Sequence, residues 1–113
     1  MATGPCVFCA IVAQKEPANI RYEDDEVVVF DNMLDWSPVM LLFIPRKHMT
    51  QDELWNNPSL LGRIGKLATK MGHEHCPEGF RILSNFGFNA MQTQPHAHIH
   101  VVGGRHLGHY VKL

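Results

Sequence analysis

Apolar residues along this chain fall into short runs with two different periods. Residues 20–23 and 26–30 ("EVVVF") are rich in β-branched and aromatic side chains and flank Asp24-Asp25, which predicts two strands joined at an acidic turn. "VMLLFIP" (39–45) is a continuous apolar run of the length of a buried strand, ended by Pro45. The period then changes. "TQDE" (50–53) is a capping-box signature, with Thr50 as N-cap and Glu53 at the third helical position, and opens a short helix through Trp55. Asn57-Pro58 restarts a helix, because Asn caps well and Pro suits the first turn. Leu60, Leu61, Ile64, Leu67, Ala68 and Met71 follow at spacings of three and four, a stripe that faces a core until the helix ends near Gly72–His75. "FRILS" (80–84) predicts a further strand, while "DNMLDWSP" (31–38) and "NFGFNAMQTQP" (85–95) are loops by composition. Residues 96–101 of "HAHIHVV" (96–102) alternate. As a strand they place His96, His98 and His100 on one face and Ala97, Ile99 and Val101 on the other, with Gly103-Gly104 as the end. The sum is an α+β chain, residues 1–113 forming one domain. Its sheet has about five mainly antiparallel strands, and the helices pack on one face.

Composition narrows the function classes. The formal net charge is −1, so no bulk field draws nucleic acid or an anionic membrane. No apolar stretch approaches the roughly 18 residues a membrane helix needs. The first residues, "MATGPCVFC", lack the basic and apolar regions of a secretory leader. Three cysteines are an odd number, and Cys6 and Cys9 stand too close for a typical structural disulfide. That pattern suits a reducing, cytoplasmic setting.

The unusual count is histidine, at 8. A solvated face that happens to carry imidazoles is a poor account of three in strict alternation. Three side chains in line on one strand cannot surround a metal ion tetrahedrally by themselves. Phosphorus chemistry accounts for the row better. A neutral imidazole is a nucleophile near pH 7, its N–P bond is labile, and flanking imidazoles can hold phosphate oxygens. Cys6-Val7-Phe8-Cys9 leaves three options. A redox pair wants the start of a helix in a thioredoxin-like setting, which the pattern does not supply. Inert buried thiols are the second option. The third is zinc, for which two thiolates make half a tetrahedron that two imidazoles complete.

His96-Ala97-His98-Ile99-His100-Val101-Val102 resembles the signature of the histidine-triad (HIT) superfamily. "CVFCAIVAQKEPANIRYEDDEVVVFD" resembles the N-terminal strands of its Hint-like branch, "FIPRKH" its strand-ending basic-His segment, "GFRILSN" its fourth strand and "HVVGGR" its close. The resemblance implies the HIT fold and a homodimer joining two five-stranded sheets. It implies attack by His98 on the α-phosphate of a purine nucleotide derivative, such as a nucleoside phosphoramidate, with no catalytic cofactor. His96 and His100 flank the nucleophile, the Thr93 hydroxyl assists the leaving group, and Asn85 and Gln92 serve the phosphate side. Asp31 is the nearest match to the family's ribose-binding Asp, and because the loop differs from the family's by one residue, Asn32 and Asp35 are alternatives. One departure is Met40, which stands where the family usually has another His. Bacterial members with a CxxC pair imply one structural zinc on Cys6, Cys9, His48 and His96.

Other residues carry less. Trp36 and Trp55 read as packing residues, Cys76 as a lone thiol, and His73 and His75 as imidazoles at a helix C-terminus. His106 and His109 lie in a tail that reaches a partner's site in Hint-like proteins. Met40 also makes a weakly catalytic nucleotide-binding regulator the main rival reading, and a zinc-binding interaction module is a third.

Overall fold

The computed structural model describes residues 6–109. Residues 1–5 and 110–113 lie outside them. Five strands form one antiparallel sheet: β1 (Ile20–Glu23), β2 (Val27–Asp31), β3 (Val39–Pro45), β4 (Phe80–Leu83) and β5 (Ile99–Gly103), in the order β1-β2-β3-β5-β4. The β1–β2 turn is closed by Asp24, whose Oδ1 accepts the N–H groups of Glu26 and Val27 at 2.8 and 2.9 Å. A crossover of two helices carries the chain from β3 to the far edge, and β5 returns between them.

Those helices are α2 (Gln51–Trp55) and α3 (Pro58–His75). Both halves of the predicted capping box are present, and the Asn57 side chain accepts from the Leu60 N–H. Each such cap satisfies backbone donors that a helix cannot satisfy itself, at about 1 kcal/mol. The apolar stripe Leu60, Ile64, Ala68 and Met71 packs on Val27, Val29, Leu41, Phe43, Ala97, Ile99 and Val101. Burying aliphatic side chains of this size stabilises by roughly 1.5–3 kcal/mol each.

Two departures from the sequence expectation matter for the site. Residues Val7–Val12, grouped by resemblance with N-terminal strands, form a short helix, α1, on the sheet face opposite α2 and α3. There Phe8 and Ile11 pack with Val28, Phe30, Leu42 and Ile44. Strand pairing of the histidine segment also begins at Ile99, not at residue 96, because the ladder to β3 ends at Phe43 opposite Ile99. The alternation still holds, and Ala97 is buried in the α2–α3 core. Gly104 terminates β5 with φ of +87°, and a Cβ there would meet the Pro38 ring at 2.9 Å, so only glycine makes this exit without strain.

Candidate active site and metal centre

A cleft of about 690 Å³ opens on the α1 face of the sheet. Its floor follows from strand register. Phe30, Leu42, His100 and Leu83 lie side by side across β2, β3, β5 and β4. Met40, Val102 and Arg81 form the next rung. Phe8 and Ile11 of α1 wall one end, and Met33, Leu34 and Trp36 rim it. Trp36 is 72% exposed at that rim, so it is not the packing residue its type suggested. Trp55 meets Phe86 edge-on at 6.1 Å, away from the cleft lining.

His98 is buried, at 3% exposure, and lines the cleft. Its Nδ1 lies 2.8 Å from the carbonyl oxygen of His96. A carbonyl only accepts, so Nδ1 carries the proton and Nε2 keeps its lone pair. Burial lowers the His98 pKa, against the opposing pull of the His96 carbonyl. The ring is therefore neutral at pH 7. Gln51, buried at the start of α2, clamps the main chain here. Its Nε2 donates to the His98 and Asn85 carbonyls at 3.0 and 3.3 Å. Its Oε1 accepts from the His98 N–H at 3.4 Å, and the Ser84 hydroxyl donates to the His98 carbonyl at 3.1 Å. Sequence reasoning missed Gln51, since a polar residue inside a capping box gives no sign of facing inward.

His100 stacks edge-on against His98 at 5.0 Å, and its Nε2 is buried without a partner. Burial, aided by repulsion from His98, takes its pKa down to about 4. Met40 lies on the adjacent rung and offers this ring no hydrogen-bonding group.

The other expected contacts divide. Asn85 and Thr93 line the cleft. Gln92 instead braces the loop, accepting from the Gly87 N–H at 2.8 Å and donating to the Gln94 carbonyl at 2.9 Å. Asp31, the nearest match to a ribose-binding Asp, is not in the cleft lining. Strand alternation turns Phe30 into the cleft and Asp31 away, where Arg21 binds it with two hydrogen bonds of 2.9 Å and Asn19 with one of 2.6 Å. Asn32, one residue on, lines the cleft, and Asp35 does not. His106 and His109 are exposed and outside the cleft lining.

The second cluster sits behind α1. Cys6 is the helix N-cap, its sulfur accepting from the Cys9 N–H, so the CxxC pair does open a helix. Burial and the neighbouring Cys6 sulfur raise the Cys9 pKa, the opposite of an activated redox thiol. His96 is fully buried, with Nε2 at 2.7 Å from the Pro45 carbonyl. That bond protonates Nε2 and leaves the Nδ1 lone pair facing Cys6 and Cys9 sulfurs, both at 3.5 Å. His48 Nδ1 lies 3.3 Å from the Cys9 sulfur. The four ligand atoms lie within 4.8 Å of one another. In a tetrahedral zinc site with ordinary bond lengths, a sulfur–nitrogen edge is about 3.5 Å, so these residues fit a Cys₂His₂ site as they stand.

Comparison with known proteins identifies the family. The family described as scavenger mRNA decapping enzyme C-term binding matches residues 5–112. A Brassica juncea relative called 14 kDa zinc-binding protein is 33% identical over 108 residues, covering 89% of this chain and 94% of its own. An Arabidopsis thaliana relative called adenylylsulfatase HINT1 is 33% identical over 113 residues, covering 91% and 74%. Among solved structures, a HIT family hydrolase from Clostridium thermocellum superposes with a TM-score of 0.87 at 31% identity, covering 98% of this chain and all of its own.

Proposed function

The chain belongs to the histidine-triad family, and from that membership we propose a nucleotide hydrolase or transferase that cleaves at the α-phosphate through a nucleotidyl-histidine on His98. The observation that carries this reading is the 2.8 Å bond from His98 Nδ1 to the His96 carbonyl. It leaves a neutral Nε2 at a cleft large enough for a nucleotide.

The base and sugar take the end walled by Phe8, Ile11 and Phe30, with Asn32, which lines the cleft two residues after Phe30, as the ribose contact. Aromatic and aliphatic walls suit a purine. The His98 Nε2 lone pair forms a bond to the α-phosphorus while the bond from phosphorus to the leaving group breaks. The leaving group departs with that electron pair; when it is an amine, the Thr93 hydroxyl gives it a proton and regains one from solvent. Water then attacks phosphorus, the N–P bond breaks, and nucleoside monophosphate is released as one proton passes to solvent. Asn85 and His100 hold the phosphate oxygens. Substrates of this class are nucleoside phosphoramidates and related mixed anhydrides, and no catalytic cofactor enters.

Cys6, Cys9, His48 and His96 would hold one structural zinc, which would fix the start of the segment carrying His98. β4, an edge strand with Ile82 and Leu83 exposed, supports a homodimer in which two sheets join edge to edge. Three free thiols support a cytoplasmic setting. Among the described residues no helix is long and apolar enough to cross a membrane.

Met40 and the unpartnered His100 Nε2 favour a second reading, a nucleotide-binding regulator with little turnover. Rapid quenching with an adenosine phosphoramidate, followed by mass spectrometry, decides between them. Trapped adenylate on His98, absent from His98→Ala, is the expected result. Saturable binding with no adduct and no adenosine monophosphate would leave only the regulator.

A further inference from the structure

The chain has five arginines. Three of them are matched to carboxylates: Arg21 to Asp31, Arg46 to Glu23, and Arg63 to Asp24. Among the described residues the remaining two, Arg81 and Arg105, have no ion-pair partner, and both line the cleft. No aspartate or glutamate lines it with them. The fixed charge of this cleft is therefore purely positive, in a chain whose overall charge is −1.

Register gives the position of that charge. On the cleft face β4 presents Arg81, Leu83 and, just beyond the strand, Asn85. Arg81 pairs with Val102, and Leu83 pairs with His100. The apolar wall of Phe8, Ile11 and Phe30 is on the other side, toward β2. A phosphorus atom bonded to His98 has a nucleoside on the β2 side, so its leaving group points across His100 toward β4. His100 stands one strand repeat, about 7 Å, short of Val102. Its buried Nε2 lacks a partner. Arg81 donates one N–H to the carbonyl of Gly108, which holds the guanidinium against the tail and leaves its other donors uncommitted. Arg105 donates to the His106 carbonyl at 3.2 Å, likewise a single bond of five possible.

We infer that Arg81 and Arg105 form a leaving-group subsite that selects nucleotide substrates whose leaving group is itself an anion, such as sulfate or a phosphate chain. The inference rests on the hydrolase reading above and refines its substrate class. Two guanidiniums without counter-charge, Arg81 half-buried and Arg105 exposed, give this end of the cleft a positive field that draws an anion. A fixed positive field stabilises an anion that gains charge as the P–O bond breaks, with the electron pair leaving on oxygen and no proton required. A neutral amine leaving group gains nothing from it, and a cationic one is repelled.

The test compares adenylyl sulfate with adenosine 5′-phosphoramidate, which share the nucleoside and the α-phosphate and differ in leaving-group charge. Values of kcat/KM are measured for the parent, Arg81→Gln, Arg81→Lys and Arg105→Gln. The expected result is that R81Q loses at least about tenfold more on adenylyl sulfate than on the phosphoramidate, the loss of one charge-assisted contact. R81K recovers part of it, and R105Q shows the same selectivity more weakly. Equal losses on both substrates would make Arg81 a tail-bracing residue and overturn the subsite, as would no loss on either. If the parent hydrolyses neither substrate and forms no His98 adduct, the hydrolase reading falls and takes the subsite with it. Turnover of both without R81Q selectivity refutes the subsite alone.

Discussion

The main-chain carbonyl of His96 accepts the Nδ1–H of His98 at 2.8 Å, while the His96 side chain turns the other way to face Cys6 and Cys9 at 3.5 Å. One residue thus fixes the tautomer of the candidate nucleophile with its backbone and offers a metal ligand with its ring. Neighbouring groups on the same chain segment bind these two tasks together.

Removal of the thiols tests that tie. Protein purified without chelator is expected to carry about one zinc per chain, and Cys6→Ser/Cys9→Ser none. The variant should melt lower, because a bound ion cross-links residues from three separated parts of the chain, and its kcat should fall as the His96 segment loosens. Both thiols must lose protons on binding, so zinc affinity declines as pH falls. Metal analysis and calorimetry across pH check each point. A metal-free parent whose melting is unchanged by added zinc would refute the site.

Gln51 offers a test that leaves the reacting groups intact. Its amide satisfies the carbonyls of both His98 and Asn85. Gln51→Ala leaves these buried acceptors short of a partner and should destabilise by about 1–3 kcal/mol. Gln51→Glu sets a carboxylate against two carbonyl oxygens and should cost more at neutral pH. Denaturant midpoints rank the two variants, and an order reversed from this would show that the amide donors do not matter.

Asp24 sets an acid limit on stability. Burial alone would raise its pKa, but hydrogen bonds from the Glu26 and Val27 N–H groups, Tyr22 and Arg63 outweigh it and hold the carboxyl well below the usual range. A depressed folded-state pKa contributes stability that is complete above the unfolded value of about 4 and is lost as pH drops toward the folded one. Asp24→Asn should therefore destabilise at pH 7, by about 1.5–3 kcal/mol for the lost charged contacts, and by progressively less below pH 4. Equal destabilisation at pH 7 and pH 3 would contradict this.

Thr93 is expected to matter in proportion to leaving-group basicity. Thr93→Ala should slow amine-releasing substrates by roughly 10²-fold, within the range of proton-transfer assistance, and release of a weakly basic group by much less. Stopped assays on two phosphoramidates of different amine pKa measure the difference. Identical slowing would remove Thr93 from the proton path.

Much of this arrangement was legible in the chain because it depends on periodicity. The α3 stripe, the Thr50 capping box and the alternation that buries Ala97, Ile99 and Val101 each follow from one repeat length. What escaped depended on tertiary context. "VFCAIV" is short and full of strand-forming residues, so its helical state comes from the Cys6 cap and the docking of Phe8 and Ile11, not from propensity. Asp31 is the nearest match by sequence, with Asn32 and Asp35 as alternatives, and only the β2–β3 register shows which face each of the first two takes, since one residue of slip exchanges the two faces of a strand. The two cleft arginines look like the other three in sequence. Only the placement of carboxylates near Arg21, Arg46 and Arg63 sets them apart.

Helix α1 has two working sides. Cys6 and Cys9 belong to the metal cluster, and Phe8 and Ile11 belong to the cleft wall. Six residues cannot hold a helix unaided, so each side keeps the other in place. For the proposed ion and nucleotide, linkage would be reciprocal: whatever factor the ion added to nucleotide affinity, the nucleotide would return to ion affinity. If zinc and nucleotide bind as proposed and α1 couples them, the protein's affinity for its ligand would vary with free zinc, and its retention of zinc with free ligand.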